Sequence, residues 1–282
     1  MYSCGTCEKR YTWPDNLKRH KRIKHASTLN DSIDMHKINV QEGGTDENVD
    51  DKLTNKIEHD GVRKLTETED IVYIDPPFTS PTTIALSGTT GSGKTSLLFK
   101  IIQHKDELFS TPPKKIMYCY GVWQSIFEKM EDDFGIIFQK GLPSESVIDK
   151  FVDGSHHVII LDDLMDEVVS NAKVQNLFTR GSHHKNITII YINQNMYCQG
   201  KCARTMSLNT HYMILLRNPR DVSQVTVLAK QTGLGQTLVD AYQDALSKPY
   251  GYLVVDLSPH SSNFKLKTDI FPDEYTVVYL PL

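Results

Sequence analysis

From residue 82 onward the chain is punctuated by short apolar runs, each bounded by turn-forming residues. Thr82-Thr83-Ile84-Ala85-Leu86-Ser87 reads as a strand, and so do Lys115-Ile116-Met117-Tyr118-Cys119-Tyr120 and Gly251-Tyr252-Leu253-Val254-Val255-Asp256-Leu257. Two further runs, Val158-Ile159-Ile160-Leu161 and Ile187-Thr188-Ile189-Ile190-Tyr191-Ile192, are nearly unbroken by polar residues. Such runs suit strands covered on both faces, as the strands of parallel sheets are. Helical spacing appears over Ser96 to Ile102, over about Asn171 to Thr179, and over Leu238 to Leu246, with apolar residues at Leu238, Val239, Tyr242 and Leu246. Strands interleaved with helices predict an α/β body with a mostly parallel sheet flanked by helices.

The amino-terminal quarter follows a different pattern. Residues 27–70 are dominated by Asp, Glu, Asn, Thr and Gly, and Gln41 to Asn48 has no apolar periodicity. A segment of that composition cannot bury enough surface to offset its chain entropy. It reads as a disordered acidic linker. A competing role is self-inhibition, in which its acids compete with nucleic acid for basic surfaces. Before it, residues 1–26 form a compact basic head, and residues 71–282 form the body. Seven Lys/Arg face two acidic residues in the head and five face twelve in the linker, which leaves the body close to balance. The net charge of −4 therefore hides three distinct pieces.

The 282 residues are enough for one large domain or two modest ones. No apolar run reaches the roughly 18–20 residues of a membrane helix. The amino terminus turns basic with no apolar signal core, so neither secretion nor membrane insertion is expected and the location is intracellular. Five cysteines, an odd and sparse set, point to reduced thiols and metal ligands rather than a disulfide framework. Cys198 and Cys202 lack further ligands at sensible spacing and read as ordinary thiols. His156-His157 and His183-His184 read as loop residues, with His183 a candidate phosphate sensor.

The body carries its chemistry at strand ends. The first strand leads into Gly88-Thr89-Thr90-Gly91-Ser92-Gly93-Lys94-Thr95 and then into a helix. This G-x4-G-K-T run in strand–loop–helix context is a phosphate-binding loop. Its glycines fold the backbone into a nest of N–H groups, and the helix end adds partial positive charge. Lys94 would reach the β- and γ-phosphates of ATP, and the Thr95 hydroxyl would ligate Mg²⁺. The strand ending in Asp162-Asp163 supplies the expected acidic partner. Asp162 would hold Mg²⁺ through water and Asp163 would polarise the attacking water, with Asp166 and Glu167 as rivals. Gln194, at the end of the next strand, can touch both γ-phosphate and water. Arg180, at a helix end, is placed either to reach a neighbouring subunit's nucleotide or to satisfy its own helix dipole.

In the head, Cys4-x2-Cys7 and His20-x4-His25 have the spacing of a closed tetrahedral Zn²⁺ site. Tyr2, Tyr11 and Leu17 supply a small apolar core, and Pro14 suits a first helical position. This head resembles the Cys2His2 zinc finger family, which implies a small ββα fold. The resemblance puts Trp13, Asn16 and Arg19 at the base-facing positions, with Asp15 in support. Asn16 could pair with adenine and Arg19 with guanine. One finger spans only ~3 bp, so DNA contact and protein docking both remain open.

The body resembles the genome-packaging ATPases of large DNA viruses. The resemblance rests on the phosphate loop, on Val158 to Asp163, on Phe178 through Asn186, on Gln194, and on Arg204-Thr205-Met206-Ser207-Leu208-Asn209 with Asn218-Pro219-Arg220-Asp221. It looks closest to the poxvirus-like branch found in Maverick/Polinton elements, within the FtsK–HerA group of P-loop NTPases. The resemblance implies a ring-forming motor that pumps double-stranded DNA into a capsid, at the nucleus or a viral assembly site. It also implies that the Gln-bearing strand lies between the phosphate-loop strand and the Asp-Asp strand, and that Arg180 acts in trans. The Asp-Asp pair departs from the group's usual Asp-Glu, and a zinc finger is no part of the core pattern. The alternative is a zinc-finger DNA-binding regulator whose P-loop domain is a nucleotide switch.

Overall fold

The computed structural model describes residues 76–164, 184–197, 203–219, 223–259, 261 and 264–281, with short pieces at 2–3, 10–11, 58–59, 62–66 and 167–168. The first strands are β1 (Tyr2–Ser3), β2 (Arg10–Tyr11), β3 (Glu58–His59), β4 (Val62–Thr66) and β5 (Thr83–Ser87). Helices α1 (Lys94–Gln103) and α2 (Lys105–Leu108) follow. Next come β6 (Lys115–Tyr120), α3 (Ile126–Phe134), β7 (Ile137–Lys140), α4 (Glu145–Phe151), β8 (His157–Asp162) and β9 (Ile187–Asn193). The chain continues through α5 (Ala203–Leu208), β10 (Tyr212–Leu216), α6 (Ser223–Thr232) and α7 (Gly235–Ala245). Strands β11 (Tyr252–Asp256), β12 (Leu266–Thr268) and β13 (Val277–Pro281) close it.

One sheet has the order β3-β4-β13-β12-β11-β10-β5-β9-β8-β6-β7. From β10 to β7 every neighbouring pair is parallel, whereas β10 to β3 is an antiparallel extension. The mostly parallel α/β class expected from the apolar runs is what the body adopts. All residues of β5, β8 and β9 are buried, which explains why their sequences lack polar alternation.

Alternate residues of each strand feed two apolar layers, one on each face. Ile84, Leu86, Ile160, Ile190 and Ile192 pack with Leu98, Ile101 and Ile102 of α1 and with Phe127 and Met130 of α3. On the other face Ala85, Ile159, Leu161 and Ile189 pack with residues of α4, α6 and α7, among them Phe151, Leu228, Leu238 and Ala241. The period-2 geometry of a strand thus divides one continuous apolar run between two cores. Cys119 belongs to the second layer, and burial pushes its thiol up to about 12.

Three expectations need adjustment. The linker expected over 27–70 contributes β3 and β4 to the sheet, with Val62 opposite Pro281 and Thr66 opposite Val277. Pairing with β13 gives this polar segment backbone hydrogen bonds that its composition alone does not reveal. His156 lies in the loop before β8 but is buried, and His157 is a buried strand residue rather than a loop residue. His156 bonds Thr111 O at 2.6 Å and Thr188 Oγ1 at 2.8 Å, and His157 opens β8. Lastly, Gln194 lies one residue past β9 and is exposed, whereas Asn193 is the strand's buried last residue.

In the head, β1 and β2 pair antiparallel with Tyr2 opposite Tyr11. The proposed zinc ligands Cys4, Cys7, His20 and His25 lie outside the described residues, as do Trp13, Asn16 and Arg19. The helix expected over 171–179, with Arg180, also lies outside them.

Candidate active site

The phosphate loop leaves the carboxyl end of β5 and enters α1. Its first peptide is tied to the sheet on both sides. Gly88 N–H donates to Asn193 O at 3.2 Å, and Thr89 N–H and Oγ1 both donate to Arg217 O, at 3.4 and 3.1 Å. Ser92 N–H donates to Thr89 O at 3.1 Å and closes the turn. Gly93 caps the helix with φ 96°, a left-handed conformation that a side chain would strain. No side chain caps α1, and no acid occupies its first turn. The positive end of its dipole is therefore not offset by any acidic side chain of its own first turn, a setting that suits an anion.

Lys94 folds back over the loop, donating from Nζ to Gly88 O at 2.7 Å and Thr89 O at 2.9 Å. These carbonyls take the acceptor positions that phosphate oxygens could fill. Burial lowers the Lys94 pKa from its ordinary value, and the charges of Asp162 and Asp163 oppose that shift. The ammonium thus lies within the field of both acids.

The acids reach it through the strand order. Strand β9 lies between β5 and β8, as the sequence resemblance implies. Leu86 is opposite Ile192, and Ile192 is opposite Asp162. The end of β8 is therefore two strand spacings, ~10 Å, from the base of the loop. Asp162 is 8% exposed, and burial raises its carboxyl pKa above the ordinary value. The nearby Asp163 charge adds to the rise, while the Tyr118 hydrogen bond and the Lys94 charge oppose it. Asp163 follows with φ 56° and its side chain is exposed. The turn it makes crowds Gly121, where an added Cβ would sit 3.2 Å from Asp163 O.

Two partners of Asp162 escaped the sequence reading. Tyr118 Oη donates to Asp162 Oδ2 at 2.7 Å, and Gln124 Nε2 donates to the same oxygen at 3.4 Å. Tyr118 is fully buried on β6, one strand beyond β8. Its only local sign is a polar-tipped aromatic in an apolar run, since the register of β6 on β8 is a long-range property. Together the two donors fix one carboxylate oxygen.

Three buried polar atoms on the same rim have no partner: Ser92 Oγ in the loop, Asn193 Oδ1 at the end of β9, and Asn218 Oδ1 just beyond β10. An unpaired buried polar group costs ~1–3 kcal/mol. A nest of N–H groups, an ammonium, a fixed carboxylate and these atoms form a donor set that fits a nucleoside triphosphate with its divalent cation. Thr95 is the first-turn residue of α1 after Lys94, and Glu167 is exposed beyond β8. Asp166 lies outside the described residues, and so do Arg220 and the side chain of Arg204. Among the described residues no cluster of three or more His, Cys, Asp or Glu forms a metal site, and no helix is long and apolar enough to cross a membrane.

No protein-family model and no curated protein sequence matches the chain. Among solved structures it is similar to the genome packaging NTPase B204 from Sulfolobus turreted icosahedral virus 2. The sulfate complex of that protein aligns at 11% identity and a TM-score of 0.45, over 67% of this chain and 95% of that one. The AMPPCP complex aligns at 12% identity and a TM-score of 0.42, over 67% and 96%.

Proposed function

We propose that the chain is an ATPase that drives translocation of double-stranded DNA, a packaging motor of the kind its sequence motifs resemble. The observation carrying the reading is convergence: the loop ammonium of Lys94 and the carboxylates of Asp162 and Asp163 share one electrostatic neighbourhood at the carboxyl rim of a parallel sheet. ATP with Mg²⁺ would supply an electrophilic γ-phosphorus and a concentrated positive charge. The residues Gly88, Thr89, Thr90, Gly91, Ser92, Gly93 and Lys94 would cradle the phosphates through backbone N–H groups and one ammonium. Thr95 and Asp162 would hold the cation, with Tyr118 keeping the Asp162 carboxylate from rotating. Asp163 would take the proton of the attacking water. Asn193, the buried last residue of β9, and Gln194, exposed just beyond it, are both candidates to contact the γ-phosphate or the attacking water.

DNA coupling, ring assembly, a trans-acting Arg180 and a capsid partner belong to this reading through the sequence resemblance. So does the head, in which Cys4, Cys7, His20 and His25 would bind Zn²⁺ and Trp13, Asn16 and Arg19 would face DNA. The test is ATP hydrolysis by the full chain with and without linear duplex DNA, for wild type, Lys94→Ala and Asp163→Asn. Duplex DNA should raise the wild-type rate. Lys94→Ala should abolish turnover with an unchanged thermal melt, and Asp163→Asn should lose most of it. ATP binding without DNA-stimulated hydrolysis would instead favour the nucleotide-switch regulator.

A further inference from the structure

The turn that leads into β11 holds an aromatic residue that the phosphate cradle does not account for. Tyr250 adopts φ 58°, a left-handed conformation that strains any residue with a side chain. Its side chain is 77% exposed, more than any other large hydrophobic among the described residues. Core packing therefore does not explain why the strain is kept. Yet the ring has a definite seat. A Cβ added to Gly93 would lie 3.0 Å from Tyr250 Cδ1, so the ring rests against the last glycine of the phosphate loop.

The turn itself is firmly anchored. Leu246 N–H donates to Tyr242 O, and Gly251 N–H donates to Lys248 O, each at 3.1 Å. Ser247 Oγ donates to Asp244 O at 2.7 Å, and Lys248 Nζ donates to Asp269 Oδ2 at 3.0 Å. Gly251 passes so close to Ala245 O that a Cβ there would be 2.1 Å from it. The backbone presenting Tyr250 is thus held against the end of α7.

Topology fixes which side of the cradle this is. Tyr252 pairs with Leu216, and Arg217, the next residue, accepts both hydrogen bonds from Thr89. The turn therefore stands beside β10, on one flank of the loop. Asp162 and Asp163 stand on the other flank, beyond β9. A triphosphate whose γ end faces those acids directs its nucleoside away from them, toward Tyr250.

We propose that Tyr250 is the base-stacking residue of the nucleotide site, offering the open face of its ring to a purine. The proposal rests on the reading that residues 88–95 bind a nucleoside triphosphate, and it adds what recognises the other end of that ligand. Aromatic stacking on a base carries enough energy to change affinity roughly 5- to 150-fold.

The test is isothermal titration of the full chain with Mg²⁺–ATP and with Mg²⁺–tripolyphosphate, for wild type, Tyr250→Ala and Tyr250→Phe. Alanine keeps the same left-handed backbone, so thermal melts should be unchanged. Tyr250→Ala should weaken ATP about tenfold while tripolyphosphate affinity stays put. Tyr250→Phe should bind ATP like wild type. The proposal is overturned if Tyr250→Ala keeps wild-type ATP affinity. It is also overturned if Tyr250→Ala loses both ligands equally, if phenylalanine fails as badly as alanine, or if wild type binds ATP no tighter than tripolyphosphate. A wild type that binds neither ligand would instead sink the phosphate-cradle reading, and this proposal with it.

Discussion

At Asp162 burial and ionisation pull against each other. Burial raises the folded-state pKa above the ordinary value of 3.8. The folded protein then holds its proton to a higher pH than the unfolded chain does. Stability contributed by this group is lost as pH rises from the unfolded value through the folded one. Without nucleotide or Mg²⁺, Asp162→Asn should therefore melt higher than wild type at neutral pH, and the gap should close on acidification. Melts between pH 4 and pH 8 check this; a gap that widens toward acid would contradict it. Tyr118→Phe removes the stronger of two donors to the same carboxylate and should cost roughly 10- to 100-fold in Mg²⁺-dependent turnover. Lys94 and Asp162 were legible in the sequence because their chemistry is tied to local spacing. Tyr118, Asn193 and Tyr250 were not, because their contacts depend on strand register and on a turn from a distant part of the chain.

Among the elements, β9 decides whether a site exists. It separates β5 from β8 by a single strand and is buried along its whole length. Ile190 packs in the layer beneath α1, so Ile190→Ala should cost ~2–5 kcal/mol, read from urea denaturation. A loss well under 1 kcal/mol would mean that this layer is not the core described. The apolar runs that became β5, β6, β8, β9 and β11 were readable as strands, since strands buried on both faces leave that signature, whether parallel like the first four or antiparallel like β11. Tyr212-Met213-Ile214-Leu215-Leu216 carries the same signature and became β10, which anchors the loop through Arg217. The three-residue β12 and the pairing of β4 on β13 left no comparable local mark, because one is too short to show a pattern and the other joins segments from opposite ends of the chain. The placement of β9 between β5 and β8 came from resemblance rather than from any local pattern, and the rest of the strand order was not legible.

For the whole molecule, the proposal joins a basic head, an acidic connection and a nucleotide-binding body. If the head folds on Zn²⁺, purified chain should carry one equivalent of zinc by elemental analysis, and Cys4→Ser/Cys7→Ser should carry none while keeping ATPase activity. If Arg180 acts across a subunit boundary, inactive Arg180→Ala and inactive Lys94→Ala chains should recover activity when mixed; no recovery at any ratio would remove that role. Both questions are secondary to whether the loop and the acids serve one ligand. The most direct measurement is ATP affinity with and without Mg²⁺, compared between wild type and Asp162→Asn. The account predicts that Mg²⁺ tightens ATP binding to wild type, while Asp162→Asn binds Mg²⁺-free ATP at least as well yet gains little from the cation. An Asp162→Asn chain that retains the full Mg²⁺ effect would show that the cradle and the carboxylate act apart.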